Sequence, residues 1–351
     1  MDMKRKMLPF VVAMLVSYFA LIGCANETVQ APQAAWNPDN PVFAQVGTYQ
    51  LDQEYFAQMM VLLEKEGKPV YQLPDQYPQL LNDMIIQEIY TNEGYARTYD
   101  RQGDFASMVE IGKNRLLVDF YKEKILQKFT PDPKLGDVEK QKQAFLQKRI
   151  QEIATQYGVK YHLERIKVGQ ETSVDPVVET GALSWNFTDF TRMAMKAGKA
   201  KQLETYDDRV LTLKSMVENR LLQDNAVAEQ LHKDPTYLKR LKYLKRYLMS
   251  RYARAQIIGD DIMATNREAK IYFQKHIDEF QSKTGKKVNY YDVEEQVKEL
   301  ATDYKRANIL KQLSQALAQS RCKVYVFEDY CLKVWPKWPK KEMRVFRSPR
   351  G

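Results

Sequence analysis

Histidine and cysteine are scarce, three of each in 351 residues. His162, His232 and His276 lie far apart on different elements, so no metal centre is expected from them. There is no H-E-x-x-H and no C-x-x-C-H. Nor is there a G-x-x-x-x-G-K-S/T loop or a G-x-G-x-x-G turn, the glycine-rich devices that let backbone N–H groups cradle phosphates. Nucleotide-driven chemistry and a resident cofactor are therefore not expected. Acidic pairs such as Asp207-Asp208, Asp260-Asp261 and Glu294-Glu295 read as helix caps and solvated faces, with no flanking pattern that converges on a hydrolytic site. Glycine and proline are also few, 14 each, which leaves long stretches free to be helix.

What the chain has is a repeat. In residues 209–257 the residues Leu213, Met216, Val217, Leu221, Val227, Ala228 and Leu231 follow helical spacing and form one apolar stripe. Lys233-Asp234-Pro235 ends that helix. A second helix carries Leu238, Leu241, Leu244, Leu248 and Tyr252 on its expected buried side. A shift of 132 places Leu81, Met84, Ile85, Ile89, Tyr90, Ala96, Leu116 and Ile125 opposite Leu213, Met216, Val217, Leu221, Leu222, Ala228, Leu248 and Ile257, without a gap. A helical hairpin has been duplicated.

The flanks repeat as well. Val46 to Leu51 reads as a short strand, and Asp52 caps a helix bearing Tyr55, Phe56, Met59, Met60, Leu62 and Leu63. Gly181 to Trp185, with Phe190 and Met193, matches Gly47 to Leu51, with Phe56 and Met59, at a shift of 134. Asp137 caps a long helix that Tyr157-Gly158 stops, and Val159 to Ile166 reads as a strand. The last helix and the strand Cys322 to Val326 match that helix and strand at a shift of 163, so the second copy holds 31 extra residues between Ile257 and about Asp292. The expected fold is mostly α: two tandem helical lobes, residues 43–170 and 178–332, each closed by pairing of its own first and last strands.

Before the lobes, Lys4-Arg5-Lys6 and the apolar run Leu8 to Ile22 have the form of a signal peptide over residues 1–23. Leu21-Ile22-Gly23-Cys24 resembles the bacterial lipobox, which implies lipidation of Cys24 and cleavage before it. Ala25, rather than Asp, after the cysteine implies sorting to the outer membrane. Residues 24–42 are polar and proline-rich and read as a tether.

Thr265-Asn266-Arg267-Glu268 is a capping box that starts a helix through Tyr272, Phe273 and Phe280. With the Leu-rich hairpin before it and Val288-Asn289-Tyr290-Tyr291-Asp292-Val293 after it, this resembles the periplasmic foldase family of SurA, PpiD and PrsA, twice over residues 43–331. The resemblance implies SurA-like helical lobes and ATP-independent chaperone activity toward unfolded or nascent envelope proteins. In that family a parvulin prolyl-isomerase domain often follows the position of Phe280; here about ten residues separate Phe280 from Tyr290, so no isomerase residues are assigned. Two other classes stay open: an adaptor or assembly lipoprotein of an envelope complex, and an isomerase-family member without isomerase activity.

Met59, Met60, Met84, Met193, Met195 and Met216 lie on or near apolar helix faces, where methionine serves either core packing or promiscuous binding. Met59, Met60, Met84, Met193 and Met216, with Tyr90 and Trp185, are the candidate client contacts. Cys322 and Cys331 either form a disulfide in an oxidising compartment or face opposite ways and cannot. Lys239, Arg240, Lys242, Lys245, Arg246, Arg251 and Arg254 put seven cations on one helix. Export argues against nucleic acid as their partner and leaves lipid head groups, acidic clients or a solvated face. Residues 333–351, with Trp335 and Trp338, read as a basic tail, disordered or lying on a partner.

Overall fold

The computed structural model describes residues 37–65, 76–167, 174–181, 183–259, 262–284, 288–320 and 323–335. The signal peptide, Cys24, most of the tether, Cys322 and residues 336–351 lie outside them. The described chain is mostly helical. A hairpin of β1 (Val42–Val46) and β2 (Tyr49–Asp52) leads into α1 (Gln53–Lys65), α2 (Tyr77–Ala96), α3 (Gly103–Leu126) and α4 (Val138–Gln156). Then come β3 (Lys160–Tyr161), a second hairpin of β4 (Pro176–Glu179) and β5 (Ser184–Asn186), and helices α5 (Phe187–Lys196), α6 (Tyr206–Ala228) and α7 (Pro235–Ile258). The chain ends in α8 (Asn266–Lys275), α9 (Ile277–Thr284), α10 (Glu294–Ser320), β6 (Val324–Val326) and α11 (Glu328–Val334).

The repeat survives at the level of single residues. Helices α3 and α7 begin and end 132 positions apart. Thr98 (φ 57°) and Gln230 (φ 59°), also 132 apart, are the two non-glycine residues with left-handed backbone among those described. Each follows its helix and turns the chain into a short 3-10 segment before the next one starts. Neither is a glycine, so each turn carries the strain of a side chain in that region. The two β-hairpins share an irregularity at equivalent places, between Val42 and Ala44 and between Pro176 and Val178. The sequence reading of Val46 to Leu51 as one strand is corrected: Gly47 (φ 60°) and Thr48 form the turn between two antiparallel strands. The strand read from Val159 to Ile166 is also shorter, because residues 163–166 close into a 3-10 turn.

Strand pairing departs from the expected plan. The first strand of the first copy, β1, pairs antiparallel with β6, the last strand of the second copy, with Ala44 opposite Val326. The last strand of the first copy, β3, pairs with β4, the first strand of the second, with Tyr161 opposite Val178. The two pairings place Tyr161 and Val326 at equivalent positions, 165 residues apart rather than on the 163 shift of the sequence match. The copies therefore do not close on themselves. Residues up to Ala106 and from Lys245 onward form one compact unit, and Ser107–Leu244 form the other. The divisions fall inside α3 and α7, so each unit combines the leading half of one copy with the trailing half of the other.

In the first unit, Phe43, Leu51, Tyr55, Leu80, Leu81, Met84, Ile85 and Tyr90 are sealed from solvent. Trp335 packs with its ring 4.2 Å from that of Phe43 and 5.0 Å from that of Phe56, so the start of the expected basic tail is core. Gly94 lets α2 approach α7: a Cβ there would sit 2.5 Å from Met249 Sδ and 3.1 Å from Ala253 Cβ. In the second unit one continuous core runs through Leu117, Phe120, Tyr121, Ile153, Phe190, Leu213, Leu221 and Tyr237. Phe105 packs on Tyr252 in the first unit and Phe120 on Tyr237 in the second; the 132-residue shift converts one pair into the other with partners exchanged.

Candidate functional site

Three of the seven candidate client contacts from the sequence are core residues. Met59, Met84 and Tyr90 are at most 1 % exposed, so none can meet another chain in this fold. Tyr90 donates its hydroxyl to Leu310 O at 2.7 Å. Met216 and Trp185 pack against the second unit's core, and Met60 and Met193 are half-buried. The reason is geometric: α2 is buried around most of its circumference, so its apolar residues have no solvent side to offer. Of the methionines considered, Met195 is the exposed one.

The basic helix does not present one cationic face either. Arg246 turns inward onto buried Glu88, and Arg254 lies 5.2 Å from the Tyr90 ring centre. Arg240 pairs with Glu123. Lys239, Lys242, Lys245 and Arg251 remain exposed. The buried side of this helix carries Tyr237, Leu241, Tyr243, Tyr247, Met249, Ser250 and Ala253, so Leu241 is buried as read, while Leu238, also read as buried, is 49 % exposed. Cys331 is buried with Sγ 3.8 Å from Phe43 O; its proposed partner Cys322 is outside the described residues. Among the described residues no three His, Cys, Asp or Glu side chains gather as a metal site, and no helix is long and apolar enough to cross a membrane.

A concave surface lies in the segment that only the second copy has. Its scaffold is the capping box: Glu268 N donates to Thr265 Oγ1 at 3.2 Å and Thr265 N to Glu268 Oε2 at 2.7 Å. Lys305 reaches from α10 to Glu268 at 2.9 Å and to Met263 O at 3.1 Å, which fixes the start of α8 against α10. Phe273 then packs 5.3 Å from Phe280 and 5.8 Å from Tyr290, over a small core of Ala269, Val297 and Ala301. Phe273, Val288 and Tyr290 floor a groove of about 490 Å³. Lys270, Gln274, Asn289 and Tyr291 form its rim. The Asn289 side chain accepts from Tyr291 N at 3.3 Å and holds the rim turn in shape.

Charge on the rim comes from Lys270. Its ammonium sits 5.4 Å and 5.3 Å from the ring centres of Tyr290 and Tyr291, and among the described residues it makes no ion pair. Tyr291 is 69 % exposed, while Tyr290 is buried and its hydroxyl has no hydrogen-bond partner among the described residues. An aromatic floor, a cation and flanking amides can hold a short stretch of polypeptide without making or breaking bonds. The sequence contained the signal, Lys270 and Phe273 three apart on a helix face and a Tyr-Tyr pair after it. It read as a family resemblance and not as a surface, because the approach of α8 to the 288–291 turn is a tertiary event.

Glu268 gives this scaffold a pH dependence. Burial pushes its carboxyl up, but the Thr265 backbone N–H and the Lys305 ammonium outweigh that and hold it below its ordinary value of 4.5. A depressed carboxylate stabilises the fold above its unfolded value and loses that contribution as pH falls through the folded one. Glu268→Gln should therefore lower stability by about 1 kcal/mol or less near pH 7. The gap to the parent should narrow as pH falls below 4.5. Urea melts at pH 7 and pH 3.5 check it; a gap that widens on acidification would refute the assignment. No family model, no curated protein and no solved structure matches the chain.

Proposed function

We propose that this chain is a lipid-anchored, ATP-independent chaperone of the bacterial cell envelope, tethered through Cys24 at the periplasmic face of the outer membrane, that holds unfolded or partly folded exported proteins. The observation that carries the reading is the aromatic groove over Phe273, Val288 and Tyr290 with Lys270 on its rim. The absence of phosphate-binding motifs, the lipobox-like Leu21 to Cys24 and the duplicated helical unit support it. Client binding would draw on burial of apolar surface, about 25 cal/mol per Å², less the cost of ordering the client, so it would be weak, broad and reversible.

Light scattering of an outer-membrane protein diluted from urea tests this. Suppression of aggregation at stoichiometric to several-fold excess is expected, without added nucleotide. No suppression at several-fold excess refutes it. A second reading, a dedicated adaptor of one envelope complex, is favoured by one observation: among the described residues the groove is built from the segment that the first copy lacks. Capture from solubilised membranes separates them, one stoichiometric partner for the adaptor and many substoichiometric clients for the chaperone.

A further inference from the structure

We infer that the groove in the second copy is selective for acidic segments: an extended peptide that places an apolar side chain on the Phe273–Tyr290 floor and an Asp or Glu carboxylate beside Lys270. This rests on the client-binding reading and names its substrate class. Lys270 is the charged group of the lining, and its ammonium has no carboxylate partner among the described residues. Its contacts there are two tyrosine faces, which hold a cation weakly and leave its N–H donors unmet by any anion. A salt bridge formed at an apolar, partly desolvated wall is worth more than one formed in open water, because the local dielectric is lower.

The remaining lining agrees. Gln274 and Asn289 bring amide groups to the rim, suited to the backbone of an extended chain. Tyr290 is nine-tenths buried and lends the groove its ring. Among the described residues no carboxylate lines the groove, so no described group there would attract a basic segment, and Lys270 would repel one. A volume of about 490 Å³ takes a few side chains, which limits recognition to a short motif.

Fluorescence anisotropy of labelled peptides with the full chain tests the inference. Two probes suffice, one alternating leucine and phenylalanine with glutamate, the other with lysine in place of every glutamate. The glutamate probe is expected to bind about tenfold or more tightly, a preference that shrinks as salt rises. Lys270→Glu should invert the preference; Lys270 is exposed and outside the core, so this variant keeps the fold, which circular dichroism verifies. Equal binding of both probes, or a preference that Lys270→Glu leaves intact, overturns the inference. Aggregation assays run in parallel separate the two levels. If the parent suppresses aggregation but shows no charge preference, the chaperone reading stands and the groove assignment falls. If the probes discriminate through Lys270 while aggregation proceeds unchecked, the groove assignment stands and the chaperone reading falls.

Discussion

Glu88→Ala is expected to destabilise the protein by about 3–5 kcal/mol, the range for removing one partner of a buried ion pair. At this chain length that is on the order of 10 °C in Tm. Glu88 is fully buried on α2. Arg246 of α7 meets both of its carboxylate oxygens, with Nε 3.1 Å from Oε2. Arg246 also donates to Asn92 Oδ1 at 3.3 Å, stacks its guanidinium 3.6 Å from the Tyr49 ring centre, and accepts at its backbone carbonyl from Thr91 Oγ1 at 3.0 Å. One side chain thus ties α7 of the second copy to β2 and α2 of the first. Alanine at 88 leaves the guanidinium desolvated and without its anion. Arg246→Met alone should cost a similar amount by stranding Glu88. The double replacement Glu88→Leu with Arg246→Met should recover much of the loss, because neither charge then remains buried. Thermal melts of the parent and the three variants check this; a loss under 1 kcal/mol for Glu88→Ala would mean the pair behaves as a surface bridge.

That ion pair also marks where sequence reading stops. The hairpin repeat was legible because apolar spacing is a local property, and helices α3 and α7 do begin and end on the 132-residue shift. Caps were legible for the same reason: the side chains of Asp52, Asp137 and Thr265 accept from backbone N–H groups of the helices that follow them. Partner choice was not legible. Hairpins β1–β2 and β4–β5 carry the same irregularity at the same place, and β3 and β6 are both three residues or fewer. Nothing in such short, similar strands says that β1 should take β6 and not β3. The seven cations of α7 misled in a related way, since charge counting cannot tell that Arg246 has a buried glutamate waiting 158 positions upstream. Met59 and Met84 misled because an apolar stripe looks the same whether it faces a client or the protein's own interior.

Cutting the chain between its two copies should leave it whole. With a protease site placed between Lys167 and Val174, cleavage yields two fragments, each holding one sequence copy. Lobes that closed on themselves would drift apart, because a severed tether leaves only whatever weak contact they share. The observed pairing predicts the opposite. Each compact unit draws its leading strands and helices from one fragment and its trailing helix and strand from the other. Separation would break the β1–β6 and β3–β4 ladders, expose Trp335 and Phe43, and strand the Glu88–Arg246 pair. The fragments should therefore co-elute on size exclusion at micromolar concentration and part only under denaturant, in one step that coincides with loss of helicity. Gln45→Cys with Tyr325→Cys, a directly opposed pair across the first ladder, should then link the two fragments covalently under oxidation. Two separately eluting, folded fragments would show that the copies are self-contained. The exchange of halves has a functional side too. Neither copy can complete its fold without the other, so the groove on α8 rests on a unit to which both copies contribute.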